Sequence, residues 1–173
     1  FYYNSTTGQF KTVNAGGAPI GTWASGGNLN TGRYRMNGGA GTLTAGLVAG
    51  GTSPNKANVE LYDGTSWTEA ADLDSARADS GVCGLQTAAL SVGGSGVTAS
   101  VEHFNGSSWT EGGDLPAGRE RNGTFGIQTA AVTFGGRDPG GSKYNTTLEY
   151  NGSSWTSGGD FLTTAYHQAS AGT

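Results

Sequence analysis

The chain is built from tandem copies, and their period constrains the fold more than any other feature. Four tryptophans recur 44, 42 and 46 residues apart: Trp23, Trp67, Trp109 and Trp155. The first three copies each end in a glycine pair, whose second members are Gly51, Gly94 and Gly136. A repeat of about 40–50 residues made only of strand and turn signals is typical of β-propeller blades. We therefore predict an all-β fold.

Residues 100–136 show the unit most clearly. An alternating strand ends at Phe104, an Asn105-Gly106 turn follows, and a second strand opens at Trp109. A polar connection containing Arg119 then leads into two short strands of small apolar residues. Glycine in the turn supplies the positive φ that a tight hairpin needs, and small residues suit strands crowded towards a central axis. The pattern predicts three full four-stranded blades and a partial fourth.

The copies define two regions. Residues 1–20 predict an N-terminal β-hairpin and a linker, and residues 21–173 form the repeat domain, with copies near 21–58, 59–100, 101–147 and 148–173. In an alternative interpretation the hairpin supplies the outer strands of the first blade. A hydrophobic fraction of 34% with 33 glycines would indicate disorder if it lacked a pattern, but here the glycines fall at turns and strand ends. We expect the chain to be a fragment of a larger propeller.

Charged residues recur with the aromatic anchors. A glutamate precedes the ring that ends the first strand of three copies: Glu60, Glu102 and Glu149. An arginine stands ten residues after each of the first three tryptophans: Arg33, Arg77 and Arg119. The fourth copy has Ala165 at that position. Because charges inside a protein need partners, we predict buried glutamate–arginine pairs that link adjacent strands.

These features together resemble the kelch repeat. The pattern is carried by Gly93-Gly94, Val101-Glu102, Phe104, Trp109, Leu115 and Arg119. The words NGSSWT, GGNLNTGR and QTAAVTFGG are similar to tandem repeats in tail-associated and fibre-like virion proteins of phages that infect marine bacteria. The resemblance implies a kelch-like β-propeller over about residues 21–173.

The resemblance also implies a function. We expect a virion structural protein, part of a tail, fibre or surface appendage, that acts as a rigid display and adhesion module and not as an enzyme. Its expected partners are other virion proteins or copies of itself, and a host-surface glycan or protein. The expected location is the virion or the extracellular space. The alternative is a lectin-like or protein-binding kelch module of a bacterial secreted protein. A kelch-fold oxidase is less favoured, because the copper ligands and modified Cys and Tyr residues of such an enzyme are not assembled.

Two insertions follow the glycine pairs, at residues 52–58 and 137–147. Extra length on one face of a propeller is where binding surfaces usually form. The longer insertion carries four residues suited to contact with a polar ligand: Arg137, Asp138, Lys143 and Tyr144. The alternative is a solvated loop without a ligand.

The sequence gives little support for other kinds of binding or catalytic site. The net charge is −4 with no basic stripe, so nucleic acid is not an expected partner, and no stretch is apolar enough to predict a membrane span. The spacing of Asp72, Asp74 and Asp79 could suit calcium, but turn or capping roles fit better. Cys83 is the single cysteine and is predicted to be a small buried hydrophobe. We expect no catalytic residue, metal or cofactor.

Overall fold

The computed structural model describes residues 25–95 and 99–168, together with the backbone of two N-terminal strands. These strands, β1 (Tyr2–Asn4) and β2 (Gln9–Lys11), pair antiparallel as a hairpin. The linker and Trp23 lie outside the described residues. No helix in the described part of the chain is long and apolar enough to cross a membrane.

The repeat region contains three four-stranded antiparallel sheets within the described residues. Blade 1 consists of β3 (Ala40–Thr42), β4 (Ala45–Ala49), β5 (Val59–Tyr62) and β6 (Trp67–Glu69). Blade 2 consists of β7 (Gly81–Leu85), β8 (Ala88–Val92), β9 (Val101–Phe104) and β10 (Trp109–Glu111). Blade 3 consists of β11 (Gly123–Ile127), β12 (Ala130–Phe134), β13 (Thr147–Tyr150) and β14 (Trp155–Ser157). The predicted all-β fold of three four-stranded blades is confirmed.

The blades are offset from the copies seen in the sequence. Each sheet joins the last two strands of one copy to the first two strands of the next, so the unit at residues 100–136 gives β9 and β10 to blade 2 and β11 and β12 to blade 3. The partial fourth copy therefore completes blade 3, and no fourth four-stranded sheet forms among the described residues. Successive copies are interlocked by main-chain hydrogen bonds, although the sheets do not close into a ring in that region.

Neighbouring blades pack face to face and form two apolar layers. Because side chains alternate along a strand, each blade has a forward face, towards the next blade, and a backward face. The first layer joins the forward face of blade 1 to the backward face of blade 2 and contains Leu47, Ala49, Val59, Leu73, Val82, Ala89, Phe104 and Trp109. The second joins blades 2 and 3 in the same way and contains Cys83, Leu90, Val92, Val101, Leu115, Ala131, Leu148, Tyr150 and Trp155.

The tryptophans tie each blade to the preceding copy. Trp109 and Trp155 are 5% and 8% exposed, and Trp67 is half-buried. Each indole Nε1 donates to a main-chain carbonyl four residues after the preceding tryptophan, at 3.2, 3.1 and 2.9 Å. The acceptors are the carbonyl oxygens of Gly27, Ala71 and Gly113. Within its own blade, each ring packs on the aromatic residue opposite, with centroids 4.6–5.0 Å apart.

A glutamine in the inner hairpin makes a second repeated link. Gln86 Nε2 donates to two carbonyl oxygens of blade 1, at 3.0 and 2.8 Å. Gln128 Nε2 makes the equivalent bonds to Ala89 and Phe104 of blade 2, at 2.9 and 2.7 Å. The two interfaces therefore share polar links as well as an apolar layer.

The outer hairpin turns differ in detail from the prediction. The loop between β9 and β10 has four residues, and its glycine, Gly106, has φ +93° as expected. The preceding Asn105 contributes through its side chain, because Oδ1 accepts from the backbone N–H groups of Ser107 and Ser108 at 2.9 and 3.0 Å. An Asx turn of this kind explains why Asp or Asn recurs before the glycine.

Candidate functional site

Two of the three predicted glutamate–arginine pairs form, and both are buried. Arg33 Nη2 lies 2.5 Å from Glu60 Oε1, with neither side chain exposed. Arg77 Nη2 bonds to Glu102 Oε1, and these side chains are 0% and 1% exposed. In each pair the second carboxylate oxygen accepts a backbone N–H three residues before the arginine, from Asn30 at 2.7 Å and Asp74 at 2.8 Å. Because each buried charge in these two pairs has a partner of opposite sign, the pairs serve as cross-links between copies.

The prediction of a third pair, between Arg119 and Glu149, is wrong. Glu149 is exposed, because it stands one residue before Tyr150, whereas Glu60 and Glu102 stand two residues before their rings. A shift of one residue moves a strand side chain to the other face. The buried position opposite β14 is held by Leu148, which pairs with Ser157 as Glu102 pairs with Glu111.

Arg119 is therefore buried without a carboxylate among the described residues. It is 2% exposed, and its Nη atoms donate to Gly135 O and to Thr146 O and Oγ1 at 3.1–3.4 Å. Burial lowers the pKa of Arg119, and its Nε has no hydrogen-bond partner in the described structure. Pro116 occupies the position of Asp74 and has no N–H to offer a carboxylate. Blade 3 therefore lacks both the carboxylate that accepts from the arginine and the backbone N–H that binds the second oxygen of that carboxylate.

The long insertion packs over this arginine. The Arg119 guanidinium lies 4.7 Å from the centroid of the Tyr144 ring, and Tyr144 Oη donates to Gly118 O at 3.3 Å. A cation over an aromatic face is attracted by the electrons of the ring. The insertion therefore supplies part of the environment that a glutamate supplies in the other two copies.

The other three predicted ligand residues also make contacts inside the protein. Asp138 Oδ1 accepts from Ser142 N at 2.8 Å, and Arg137 pairs with Glu120 at 2.7 Å. The Lys143 ammonium lies 5.0 Å from the centroid of the Tyr166 ring. Lys143 is nevertheless exposed. The four residues are brought together on one ordered insertion, and their role in ligand contact stays a prediction.

A ladder of residues in the left-handed backbone conformation links successive copies, and the sequence analysis did not predict it. Four non-glycine residues have φ between +57° and +59°: Arg35, Asp79, Arg121 and His167. Each lies twelve residues after a tryptophan. The N–H of each later member donates to the carbonyl of the preceding one, at 2.8, 2.8 and 3.0 Å. Their spacing was a usable signal, but their side chains differ, so a search for recurring residue types does not find them.

Asp79 joins two members of this ladder. Its Oδ2 accepts from Arg35 Nε at 2.9 Å and Arg121 Nε at 3.1 Å. Burial would raise the pKa of this carboxyl, but the hydrogen bonds from the two arginines outweigh it, and the pKa lies below its usual value. Asp79 is therefore a structural anion, and no three-residue group of His, Cys, Asp or Glu in the described part could hold a metal ion.

Cys83 fits the structural role predicted for it. The side chain lies in the layer between blades 2 and 3, and burial raises the pKa of its thiol to about 12. A thiol with so little thiolate is a poor nucleophile.

A cavity of about 430 Å³ lies between the first and last copies, where Met36, Asn37 and Val48 face His167 and Gln168. This volume is within the range of ligand pockets.

A search with protein-family models finds no match for this chain, and a search of curated proteins finds none either.

Proposed function

We propose that the chain is a virion structural protein of a phage, part of a tail, fibre or surface appendage, that acts as a rigid display and adhesion module. The observation that carries the proposal is the contrast between the constant blade contacts and the variable insertion. The tryptophan and glutamine links recur at both interfaces. The insertion at residues 137–147 departs most from the repeat, and Tyr144 and Arg137 hold it against the connection between β10 and β11.

A loop held in one conformation loses less entropy when it binds a partner. Lys143 is the exposed cation of this insertion, so an anionic or polyhydroxylated group on a host surface is the partner it suits. Single contacts of this kind are weak. Many copies on one particle would convert weak contacts into durable attachment through effective concentration.

Proteomic analysis of purified particles tests the virion assignment. Particles are collected from the medium of the source culture by density gradient, and peptides of this chain are quantified against a known capsid protein. The proposal expects the chain to co-sediment with intact particles at a fixed ratio to the capsid protein. Recovery of the chain only as free protein in the medium would contradict it and favour a secreted binding module.

The adhesion role has a separate test. The purified chain is coupled to beads at high density, and binding to host cells is compared with that of a Lys143→Glu variant and a Lys56→Glu control. Lys56 lies in the shorter insertion, at residues 52–58, and its backbone N–H bonds to Gly51 O. We expect the first variant to lose most of the binding and the control to keep it. Equal binding by all three proteins would exclude the long insertion as the contact surface.

A further inference from the structure

Three partly exposed arginines lie in one continuous chain of ion pairs. Arg35 and Arg121 both donate from Nε to Asp79 Oδ2, at 2.9 and 3.1 Å. Glu120 Oε1 lies 3.7 Å from Arg121 Nε and accepts from Arg137 Nε at 2.8 Å. The chain of pairs therefore crosses from the first copy to the third and ends in the long insertion. We call Arg35, Arg121 and Arg137 the arginine row.

In each of these pairs the carboxylate is the buried partner. The side chains of Asp79 and Glu120 are only 1% and 9% exposed. Those of Arg35, Arg121 and Arg137 are 36%, 17% and 31% exposed. In the two glutamate–arginine pairs that link copies, by contrast, both partners are buried. The arginine row therefore presents guanidinium groups at the surface and keeps their counter-ions beneath them.

The buried carboxylates fix the orientation of the arginine row, because each arginine is held through its Nε. At least one Nη group of each arginine has no hydrogen-bond partner in the part of the chain that the structure describes. A guanidinium carries five N–H donors in a planar fork that matches the oxygens of a carboxylate or of a tetrahedral oxyanion. The unused donors are therefore already positioned for an oxyanion, which lowers the cost of binding one.

Charges on the described surface are separated, and the arginine row is the positive part. Lys143 is exposed and forms a β-bridge with Arg137, so it stands beside the row. Among the described cations outside the buried pairs and Arg119, only Lys56 lies apart from the row. The exposed carboxylates of the same region lie on the outer hairpins or in the segments that follow them: Asp63, Glu69, Asp72, Asp74, Glu111, Asp114, Glu149 and Asp160. An anionic partner is therefore steered to the row and away from the outer hairpins.

The charge balance at the row favours an acidic polysaccharide over a nucleic acid. The arginine row and Lys143 carry four positive charges, and Asp79, Glu120 and Asp138 beside them carry three negative charges. A nucleic acid binds by neutralisation of many successive phosphates, which an excess of one positive charge does not support. A guanidinium fork instead suits single acidic groups that are set among neutral ones.

An exposed tyrosine adjoins the row. Tyr34 directly precedes Arg35 and is 60% exposed. Its backbone exchanges two hydrogen bonds with Thr52, at 3.2 and 2.9 Å, so the residue is held in place. A tyrosine side chain combines an apolar ring face with a hydroxyl. A sugar ring offers the complement, because it has C–H groups on its face and hydroxyls at its edge.

We propose that the arginine row binds an acidic polysaccharide, whose carboxylate or sulfate groups accept from the unused Nη donors while a sugar ring packs on Tyr34. The inference rests on the adhesion role proposed above, because it names the chemistry of the partner at that surface. It places the contact on residues of the first and third copies and not on the insertion alone.

Isothermal titration calorimetry of the full chain against defined oligosaccharides tests the proposal. The two acidic probes are an oligomer of a uronic acid and a sulfated dextran, and neutral dextran of the same length is the reference. We expect saturable binding of at least one acidic probe and no binding of neutral dextran. The acidic probe that binds more tightly identifies the oxyanion. Absence of binding to both acidic probes would overturn the proposal.

Arg35→Gln and Arg137→Gln are each expected to raise the Kd at least about tenfold, the effect of one lost hydrogen bond between charged groups. Arg121 remains beside Asp79 and Glu120 in both variants, so neither buried carboxylate loses its last cation. Arg35→Lys keeps the charge without the planar fork, and we expect it to weaken binding as well. Tryptophan fluorescence checks that each variant is folded, and unchanged affinity in all three folded variants would refute the assignment.

The matched control is Lys56→Gln, which removes one positive charge outside the row. Its Kd is expected to stay within about twofold of that of the unchanged protein, because Lys56 lies beside Arg77 in the shorter insertion and its charge is screened by solvent. A loss equal to that of Arg35→Gln would show that binding follows net charge and not the row. Tighter binding to single-stranded DNA than to either acidic probe would rule out a polysaccharide as the partner.

The failure of this inference can be distinguished from that of the proposed function. Attachment to host cells without binding to either acidic probe would overturn the inference and leave the adhesion role standing. Absence of the chain from purified particles would remove the virion assignment without changing the affinities measured by calorimetry.

Discussion

Replacing Glu102 by leucine tests the buried pair most sharply, because blade 3 already carries leucine there. The carboxylate accepts from Arg77 Nη2 and from Asp74 N, and the Arg77 side chain has no exposure. Glu102→Leu leaves a buried guanidinium and an N–H without their acceptor. Removing one partner of a buried pair costs about 3–5 kcal/mol. For a chain of this size that loss lowers Tm by about 6–20 °C.

The assay is chemical denaturation followed by tryptophan fluorescence. The matched control is Glu149→Leu, because Glu149 is exposed on the same kind of strand in the next blade. Its unfolding free energy is expected to change by less than about 0.5 kcal/mol. If Glu102→Leu costs less than about 1 kcal/mol, our account of the pair as a buried cross-link is refuted.

Asp74→Pro combined with Glu102→Leu copies the arrangement of Pro116 and Leu148 in blade 3. The proline removes the N–H that Glu102→Leu would strand, and a stranded buried donor costs about 1–3 kcal/mol. We therefore expect the double variant to be more stable than the sum of the single changes predicts, by at least about 1 kcal/mol. Strict additivity in the double-mutant cycle would contradict this explanation of blade 3.

Three further predictions follow from single side chains. Gln128→Ala removes two hydrogen bonds between blades and should cost about 1–3 kcal/mol in denaturation experiments, whereas no loss would contradict the link. Cys83 should react with a thiol reagent only after unfolding, because burial raises its pKa to about 12; labelling of the native protein at the rate of a free thiol would count against burial. Because folding lowers the pKa of Asp79, its carboxylate contributes stability that is fully present above about pH 3.8, the pKa of the unfolded chain. This stability is lost as the pH falls through the lower pKa of the folded protein. Asp79→Asn should therefore weaken the acid dependence of unfolding, and equal pH profiles for the two proteins would disprove that role.

Much of the fold could be predicted because a residue that recurs in every copy occupies an equivalent packing position in each. The recurring Trp109 and Trp155 mark equivalent sites, and the structure buries both against the preceding copy. The pairing of Glu149 failed for a physical reason. Its distance from Tyr150 differs by one residue from that in the other copies, and strand side chains alternate between faces.

Two features depend on backbone geometry and could not be found from residue types. The offset between copies and blades follows from which strands pair, and the same order of strand signals fits either grouping. The ladder through Asp79 and Arg121 repeats a left-handed conformation with different side chains. In the insertion, Tyr144 lies over Arg119, which has no glutamate partner in the described structure, and sequence spacing does not report this contact.

Hydrogen exchange of the indole N–H groups, measured by NMR, tests the interlocked stack of blades directly. Trp109 Nε1 and Trp155 Nε1 donate to Ala71 and Gly113 of the preceding copy at 3.1 and 2.9 Å. Both protons should exchange slowly, at rates that fall together as global stability rises. Rapid exchange of both indoles in a protein that is otherwise folded would show that the blades do not pack against one another as described.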